Sequence, residues 1–232
     1  MSPRLIKVLR LLRHPACWPA LRQNVAATLE HDTALGRERF ATVIDVGANK
    51  GQFATYARLR WPRARLICFE PLPEPRATLA RVTRGRAELH GCALGASAGE
   101  AEMHLASRTD SSSLLALGER QKAIFGMDES GRLRVPIERL DACIRPPLAR
   151  PSLLKIDVQG FELEVLKGAT GLLPEIDVVY VEDSFIELYQ GQALHEEIEG
   201  LLQTAGFRLD GCFNEFTHQG ERIQADLLFR RT

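Results

Sequence analysis

The sequence lacks any long apolar run. A membrane-spanning helix needs roughly 18 or more consecutive apolar residues, and no such stretch occurs among the 232 residues. It also lacks a charge excess of either sign, because 30 Lys and Arg balance 30 Asp and Glu. A strongly basic nucleic-acid binder is thereby disfavoured, and with 45% hydrophobic residues the chain is far from the disordered class. Cysteine is sparse and scattered: Cys17, Cys68, Cys92, Cys143 and Cys212 never form a CxxC pair. A zinc knuckle and a thioredoxin motif are therefore unreadable, and reduced, mostly buried thiols in a cytoplasmic protein are the expectation. None of the histidines sits in HExxH; His195 and Glu199, four apart, read as a solvated helical face rather than a metal pair. What is left suits one globular domain with a short extension.

The extension is residues 1–40 and the domain residues 41–232. Leu5, Val8, Leu9 and Leu12 recur at helical spacing among Arg4, Lys7, Arg10 and Arg13. Such a helix either packs on the domain or lies on an anionic membrane surface, which leaves peripheral membrane contact open. The charges break the apolar segment, and no small-residue cleavage site follows, so a signal peptide is a poor reading. A second helix is expected over Val25–Leu35. From Phe40 onward short apolar strands alternate with helical segments. Strands are expected at Thr42–Val46, Arg65–Phe69, Ala87–Leu94, Ser152–Val158 and Ile176–Val181. The intervening helices are Gln52–Trp61, Pro75–Val82, Phe161–Lys167 and His195–Ala205. That alternation is the mark of a parallel sheet with helices on both faces. Glu100–Ala106 and Leu133–Glu138 either pair as a hairpin or extend the sheet. Phe207–Phe213 and Gln224–Phe229 form a final antiparallel pair.

Four strand ends carry chemistry. In Val43-Ile44-Asp45-Val46-Gly47-Ala48-Asn49-Lys50-Gly51-Gln52 a buried strand feeds a tight turn that opens a helix. Ligands of open α/β sheets bind at such carboxyl ends. Gly47 and Gly51 permit close backbone approach, and Asn49 tolerates positive φ. Asp45 places a carboxylate before the turn, which suits a cationic group such as an ammonium. A Walker loop is excluded because Gln52 follows Gly51. A dinucleotide fingerprint is broken by Asn49 and Gln52. Glu70 ends the second strand, where an acid accepts hydrogen bonds from both hydroxyls of a ribose. Lys155 and Asp157 share one strand face. A lysine there is either paired with an acid or given a pKa low enough for base work. Glu182 closes the next strand. Asp45, Glu70, Asp157 and Glu182 together define one acidic rim, which could take Mg²⁺ through oxygen ligands, although no ligand spacing requires a metal.

As a set these segments resemble the FkbM family of S-adenosylmethionine-dependent methyltransferases. The resemblance is carried by Asp45-Val46-Gly47-Ala48-Asn49-Lys50-Gly51, Phe69-Glu70-Pro71, Cys92-Ala93-Leu94-Gly95, Ser111-Ser112-Ser113-Leu114, Leu140-Asp141 and Leu154-Lys155-Ile156-Asp157-Val158-Gln159-Gly160-Phe161-Glu162. Gln159 departs from the pattern, which has Glu there. The resemblance implies a Rossmann-like class I methyltransferase fold, a seven-stranded, mostly parallel sheet with strand order 3-2-1-4-5-7-6. It also implies S-adenosyl-L-methionine as cofactor. Asp45, Gly47, Asn49 and Gly51 would hold its methionine end, Glu70 its ribose, and Ala93 and Leu94 its adenine, with Asp157 near the transferred methyl. The acceptor is expected to be a hydroxyl of a saccharide or natural product. With the leaving group already activated, the remaining tasks are alignment of the acceptor oxygen and removal of its proton. Asp157 is the first candidate base, with Lys155 or Glu182 behind it. Ser111, Ser112 and Ser113 form either a lid or a flexible loop. Two alternatives stand beside this reading. One is an NAD-binding short-chain oxidoreductase, against which no TyrxxxLys motif is found. The other is a non-catalytic binding module on the same fold.

Overall fold

The computed structural model describes residues 11–232, so the amphipathic segment beginning at Leu5, with its suggested membrane contact, lies outside the described residues except for its end. Strands β1 (Thr42–Val46), β2 (Arg65–Phe69) and β3 (Glu88–His90) come first, then β4 (Ala93–Leu94), β5 (Gly99–Ala106) and β6 (Glu129–Glu138). They are followed by β7 (Ser152–Ile156), β8 (Val178–Ser184), β9 (Phe207–His218) and β10 (Glu221–Arg231). Helices α1 (Trp18–Leu21) and α2 (Asp32–Leu35) precede the sheet. Between and after the strands lie α3 (Gln52–Arg60), α4 (Pro73–Thr83), α5 (Glu119–Phe125), α6 (Leu140–Cys143), α7 (Glu162–Lys167) and α8 (His195–Thr204).

The main sheet has seven strands in the order β3-β2-β1-β7-β8-β10-β9. Only β10 runs against the others, pairing antiparallel with both β8 and β9. Counted within this sheet, the order is the one the resemblance implies. β5 and β6 pair antiparallel, and with β4 they make a separate three-stranded sheet. Of the two arrangements open for Glu100–Ala106 and Leu133–Glu138, pairing with each other is the one adopted. The strand expected over Ala87–Leu94 divides. β3 stays on β2, whereas β4 crosses to β6. The break falls at Gly91-Cys92, where the Arg76 guanidinium packs so closely on Gly91 that a Cβ would lie 2.7 Å from it.

Side-chain alternation along the strands sets two faces. Ile44, Val46, Leu154, Ile156, Val179 and Val181 face Val165 and Leu166 of α7 and Ile198 and Leu202 of α8. Val43, Leu153, Tyr180 and Leu228 face the other way, onto Phe53, Tyr56 and Ala57 of α3. Leu11, Cys17, Ala27, Leu35 and Phe40 join that second core, so the chain before β1 is part of the domain's packing. Each Leu or Phe among them, fully buried, contributes about 1.5–3 kcal/mol. The helix expected over Val25–Leu35 is mostly absent. Asn24 takes a left-handed φ of 57°, Val25 and Ala27 are buried in alternation along an extended run, and only a turn at Leu29–His31 and the short α2 are helical. Among the described residues no helix is long and apolar enough to cross a membrane. All five cysteines are free, with Cys17, Cys68 and Cys92 buried.

Candidate active site

The turn after β1 is built by three positive-φ residues, Gly47 at 80°, Asn49 at 45° and Gly51 at 95°. Gly47 is required for space as well as conformation, because a Cβ there would sit 1.8 Å from the Asp157 carbonyl oxygen. The amides of Gly47 and Ala48 donate to the Phe69 carbonyl at 3.1 and 3.0 Å, locking the turn against the end of β2. Glu70 is buried beside it. Its Oε2 accepts from the Asn49 amide and its Oε1 from the Leu72 amide, both at 2.8 Å. Burial raises the Glu70 pKa to about 7, against the opposing pull of those two amides. Each oxygen keeps a lone pair for a ligand hydroxyl.

Asp45 is fully buried under the turn. Register places it opposite Lys155, whose Nζ lies 3.4 Å from Asp45 Oδ1 and 3.3 Å from Asp157 Oδ2. Neither Asp45 oxygen receives a hydrogen bond, and Asn49 Oδ1 and Gln52 Oε1 are likewise buried acceptors without a donor. Burial pushes the Asp45 carboxyl up, and Lys155 offsets only part of that. The lowered Lys155 pKa that would permit base work does not occur. Burial alone would depress it, but Asp157 and Asp45 outweigh burial and hold it above the ordinary value, so Lys155 remains an ammonium. The same ammonium reverses the effect of burial on Asp157, leaving that carboxyl below its ordinary range.

Glu182 faces the same way as Lys155 and reaches the site through Gln159, whose amide nitrogen donates to Asp157 Oδ1 and to Glu182 Oε2, both at 2.8 Å. Burial, then the Asp157 charge, pushes Glu182 well above the ordinary carboxyl range. Glu162, also buried, accepts from the Val158 and Gly160 amides and shapes the turn that follows β7. The three serines are buried and tied down rather than loose. The Ser111 carbonyl lies 3.1 Å from the Tyr189 hydroxyl, and Ser112 Oγ accepts from the Ala106 amide. Ser113 Oγ donates to the Gln159 carbonyl at 2.6 Å.

Gly47, Asn49, Glu70, Ala93, Leu94, Ser112, Lys155 and Asp157 line one cleft of about 940 Å³, part of it open to solvent. Asp45 lies beneath its floor, Gly51 caps α3, and Glu182, Ser111 and Ser113 stand behind the wall. The sequence reading missed two sets of contributors. Met103, Leu114 and Phe161 complete an apolar compartment around Ala93 and Leu94. Thr28 and His31 bring the pre-β1 segment into the wall, where no local motif announced them. His31 is held by edge contacts to Phe53, Tyr56 and Tyr180 and by Nδ1 lying 3.1 Å from the Tyr180 hydroxyl. Tyr180 in turn donates to Asp226 at 2.8 Å. His195, expected on a solvated helical face, is instead partly buried, packed on Phe185 with Nδ1 3.9 Å from buried Asp183. Among the described residues no group of three or more His, Cys, Asp or Glu is arranged to hold a metal ion.

Residues 45–209 match the family model described as the Methyltransferase FkbM domain. The chain belongs to the FkbM methyltransferase family. It is 31% identical over 248 residues to the 2-O-methyltransferase NoeI of Sinorhizobium fredii, covering 100% of this chain and 93% of that protein. Methyltransferase sdnD of Sordaria araneosa is 30% identical over 192 residues, 71% of this chain and 73% of sdnD. The hexuronic acid methyltransferase AglP of Haloferax volcanii is 28% identical over 139 residues, 60% of this chain and 54% of AglP. The oxidoreductase alternative falls with this membership.

The cleft fits the cofactor that the family implies, S-adenosylmethionine. Asn49 and Gln52 line it with buried oxygens that have no donor, above Asp45, whose one ion pair among the described residues is with Lys155 at 3.4 Å, and a ligand ammonium would complete that set. Glu70 offers two oxygens to a diol. The compartment bordered by Ala93, Leu94, Met103 and Phe161 is apolar enough for a heteroaromatic base.

Proposed function

We propose that this FkbM-family protein is an S-adenosylmethionine-dependent O-methyltransferase acting on a hydroxyl of a saccharide or natural-product acceptor. The observation that carries the reading is the set of donor-less acceptors at Asp45, Asn49 and Gln52, next to the doubly held Glu70. That arrangement suits a ligand with a cation at one end and a diol in the middle. The names of two relatives, a 2-O-methyltransferase and a hexuronic acid methyltransferase, support a hydroxyl acceptor.

Bound in the cleft, S-adenosylmethionine supplies a methyl group already activated by its sulfonium. The chain's tasks are then positional and acid–base. Asp45, Gly47, Asn49 and Gly51 hold the methionine end, Glu70 the ribose, and Ala93 and Leu94 the adenine. Lys155 keeps Asp157 ionised at the cleft wall. Asp157, at the cleft wall, takes the proton of the acceptor hydroxyl, with Glu182 linked behind it through Gln159. Ser111, Ser112 and Ser113 fix the wall over this pair. Residues 41–232 make up the transferase domain, and Thr28 and His31 of the preceding segment close its pocket.

The test is a thermal-shift titration with S-adenosylhomocysteine, with NAD⁺ as control, on wild type and Asp45→Ala. A ligand confined to the folded state adds ~2.7 kcal/mol at a hundredfold excess over its Kd. A shift with S-adenosylhomocysteine that is lost in the variant is expected. Transfer of labelled methyl from S-adenosylmethionine to a panel of glycosides and phenols then reads the acceptor class. Binding without transfer to any hydroxyl would favour a non-catalytic module. A shift with NAD⁺ instead would overturn the reading.

A further inference from the structure

Gln159 stands where two carboxylates meet. Its φ is 60° and that of Gly160 is 99°, so the chain turns sharply just after β7. The Ser113 hydroxyl holds the Gln159 carbonyl at 2.6 Å, fixing that turn. The side-chain amide has two hydrogens, and both are engaged, one on Asp157 Oδ1 and one on Glu182 Oε2, each at 2.8 Å. The Tyr189 hydroxyl donates to Gln159 Oε1 at 2.7 Å. Gln121 Nε2 donates to that hydroxyl at 3.1 Å. This chain of donors decides which end of the amide faces the acids, so the nitrogen cannot exchange places with the oxygen without breaking three hydrogen bonds.

The two acids are otherwise unlike. Asp157 has Lys155 Nζ at 3.3 Å from its second oxygen. Glu182 forms no direct ion pair among the described residues. It is faced by Asp157 from the loop after β7, Asp226 from β10, Glu162 from α7 and Tyr189, with Lys155 as an opposing charge. Both carboxyls contact the same amide nitrogen, so each lies in the field of the other. Two close carboxyls in this setting titrate as a pair.

We infer that Gln159 is a positioning residue that binds Asp157 and Glu182 into one acid pair holding a single proton, with Asp157 ionised and Glu182 protonated. The pair's remaining negative charge faces the acceptor hydroxyl and takes its proton; that role rests on the methyl-transfer reading, whereas the pair itself does not. Burial and like charges raise Glu182 while Lys155 and the Gln159 amide lower Asp157, which agrees with the split the geometry sets up. A neutral amide is suited to this position because it can donate to both acids at once. A carboxylate at 159 would add a third negative charge and no donor.

The test needs neither acceptor nor methyl donor. The carboxyl carbons of Asp and Glu are labelled with ¹³C in the full chain, and their NMR shifts are followed from about pH 2 to about pH 10, with Glu182→Gln and Asp157→Asn used for assignment. Wild type should show one of the pair titrating below and the other well above the ordinary carboxyl range. In Gln159→Leu, which keeps the bulk and loses both donors, both midpoints should rise by about one pH unit, the equivalent of one hydrogen bond to each acid. Tyr189→Phe, which removes the bond to Gln159 Oε1 together with the hydroxyl's contacts to the Ser111 carbonyl and Gln121, should move them less in the same direction, and it decides the matter if Gln159→Leu does not fold. The inference is overturned if the two carboxyls titrate independently near ordinary values in wild type, or if both variants leave the curves unmoved. Failure of S-adenosylhomocysteine to bind would sink the methyl-transfer reading and leave these titrations interpretable.

Discussion

Binding of S-adenosylhomocysteine should weaken as the pH falls through neutrality, because of Glu70. The unligated protein holds this carboxyl at about 7, burial being the cause. A diol donates both hydrogens to an ionised carboxylate, so the ligand binds the deprotonated form and pulls the pKa down. With a free-protein value of about 7 and binding confined to the ionised form, the apparent Kd scales as 1 + 10^(7 − pH). Between pH 8 and pH 6 the affinity then falls about tenfold, or ~1.4 kcal/mol. The ligand's own amino and carboxyl groups keep their charges across that interval. Isothermal titration calorimetry at pH 6, 7 and 8, in two buffers of different ionisation enthalpy, gives both the slope and the proton released. Glu70→Gln should bind more weakly at pH 8 and lose most of the slope. Asp45→Asn should weaken binding yet keep the slope that Glu70 supplies. A wild-type Kd that is flat from pH 8 to pH 6, or a slope that survives in Glu70→Gln, would refute the reasoning. The same shift has a sign for stability. The unfolded chain titrates near 4.5 and the folded one near 7, so the folded state holds the extra proton between them. The contribution of this group to unligated stability is therefore greatest below about pH 4.5 and declines towards pH 7, by up to ~3 kcal/mol.

Other outcomes follow from particular contacts. Gly47→Ala should cost at least ~3 kcal/mol in chemical denaturation, since its Cβ would meet the Asp157 backbone at 1.8 Å as well as taking a φ of 80°. Gly85→Ala, at a φ of 72° but with open space, should cost only about 1 kcal/mol. Asp183 is buried with one oxygen unpartnered and its pKa raised to about 8 by burial and then by Glu162. Its ionisation therefore destabilises the fold as pH rises from about 4 to 8, and Asp183→Asn should raise the melting temperature at pH 8.5 but not at pH 4.5. Asp226→Ala removes the acceptor of both Tyr180 and Asn214 beside His31, and should lower stability by about 2–4 kcal/mol with a loss of S-adenosylhomocysteine affinity, read by denaturation and calorimetry.

What the sequence determined by itself was local and periodic. β-Branched runs such as Thr42–Val46 can be satisfied only as buried strands. Gly47, Asn49 and Gly51 supply the positive-φ positions of the turn, and an acid after each apolar run puts Asp45, Glu70, Asp157 and Glu182 on one rim. These are properties of neighbours in the chain, and together with the family resemblance they were enough for sheet order and cofactor cleft. Tertiary structure decided everything that depends on what faces what. Lys155 was readable as a base or as a paired cation, and only the register that sets it between Asp45 and Asp157 makes it a permanent ammonium. Gln159 looked like a lapse in a motif until Glu182 and Tyr189, 23 and 30 residues away, were seen to share its amide. Thr28 and His31 carried no signal at all. Their place in the cleft arises because an extended run, not the expected helix, carries the chain before β1 across the sheet. Charge, pKa and partnership are set by distances through space, and no periodicity in the chain encodes them.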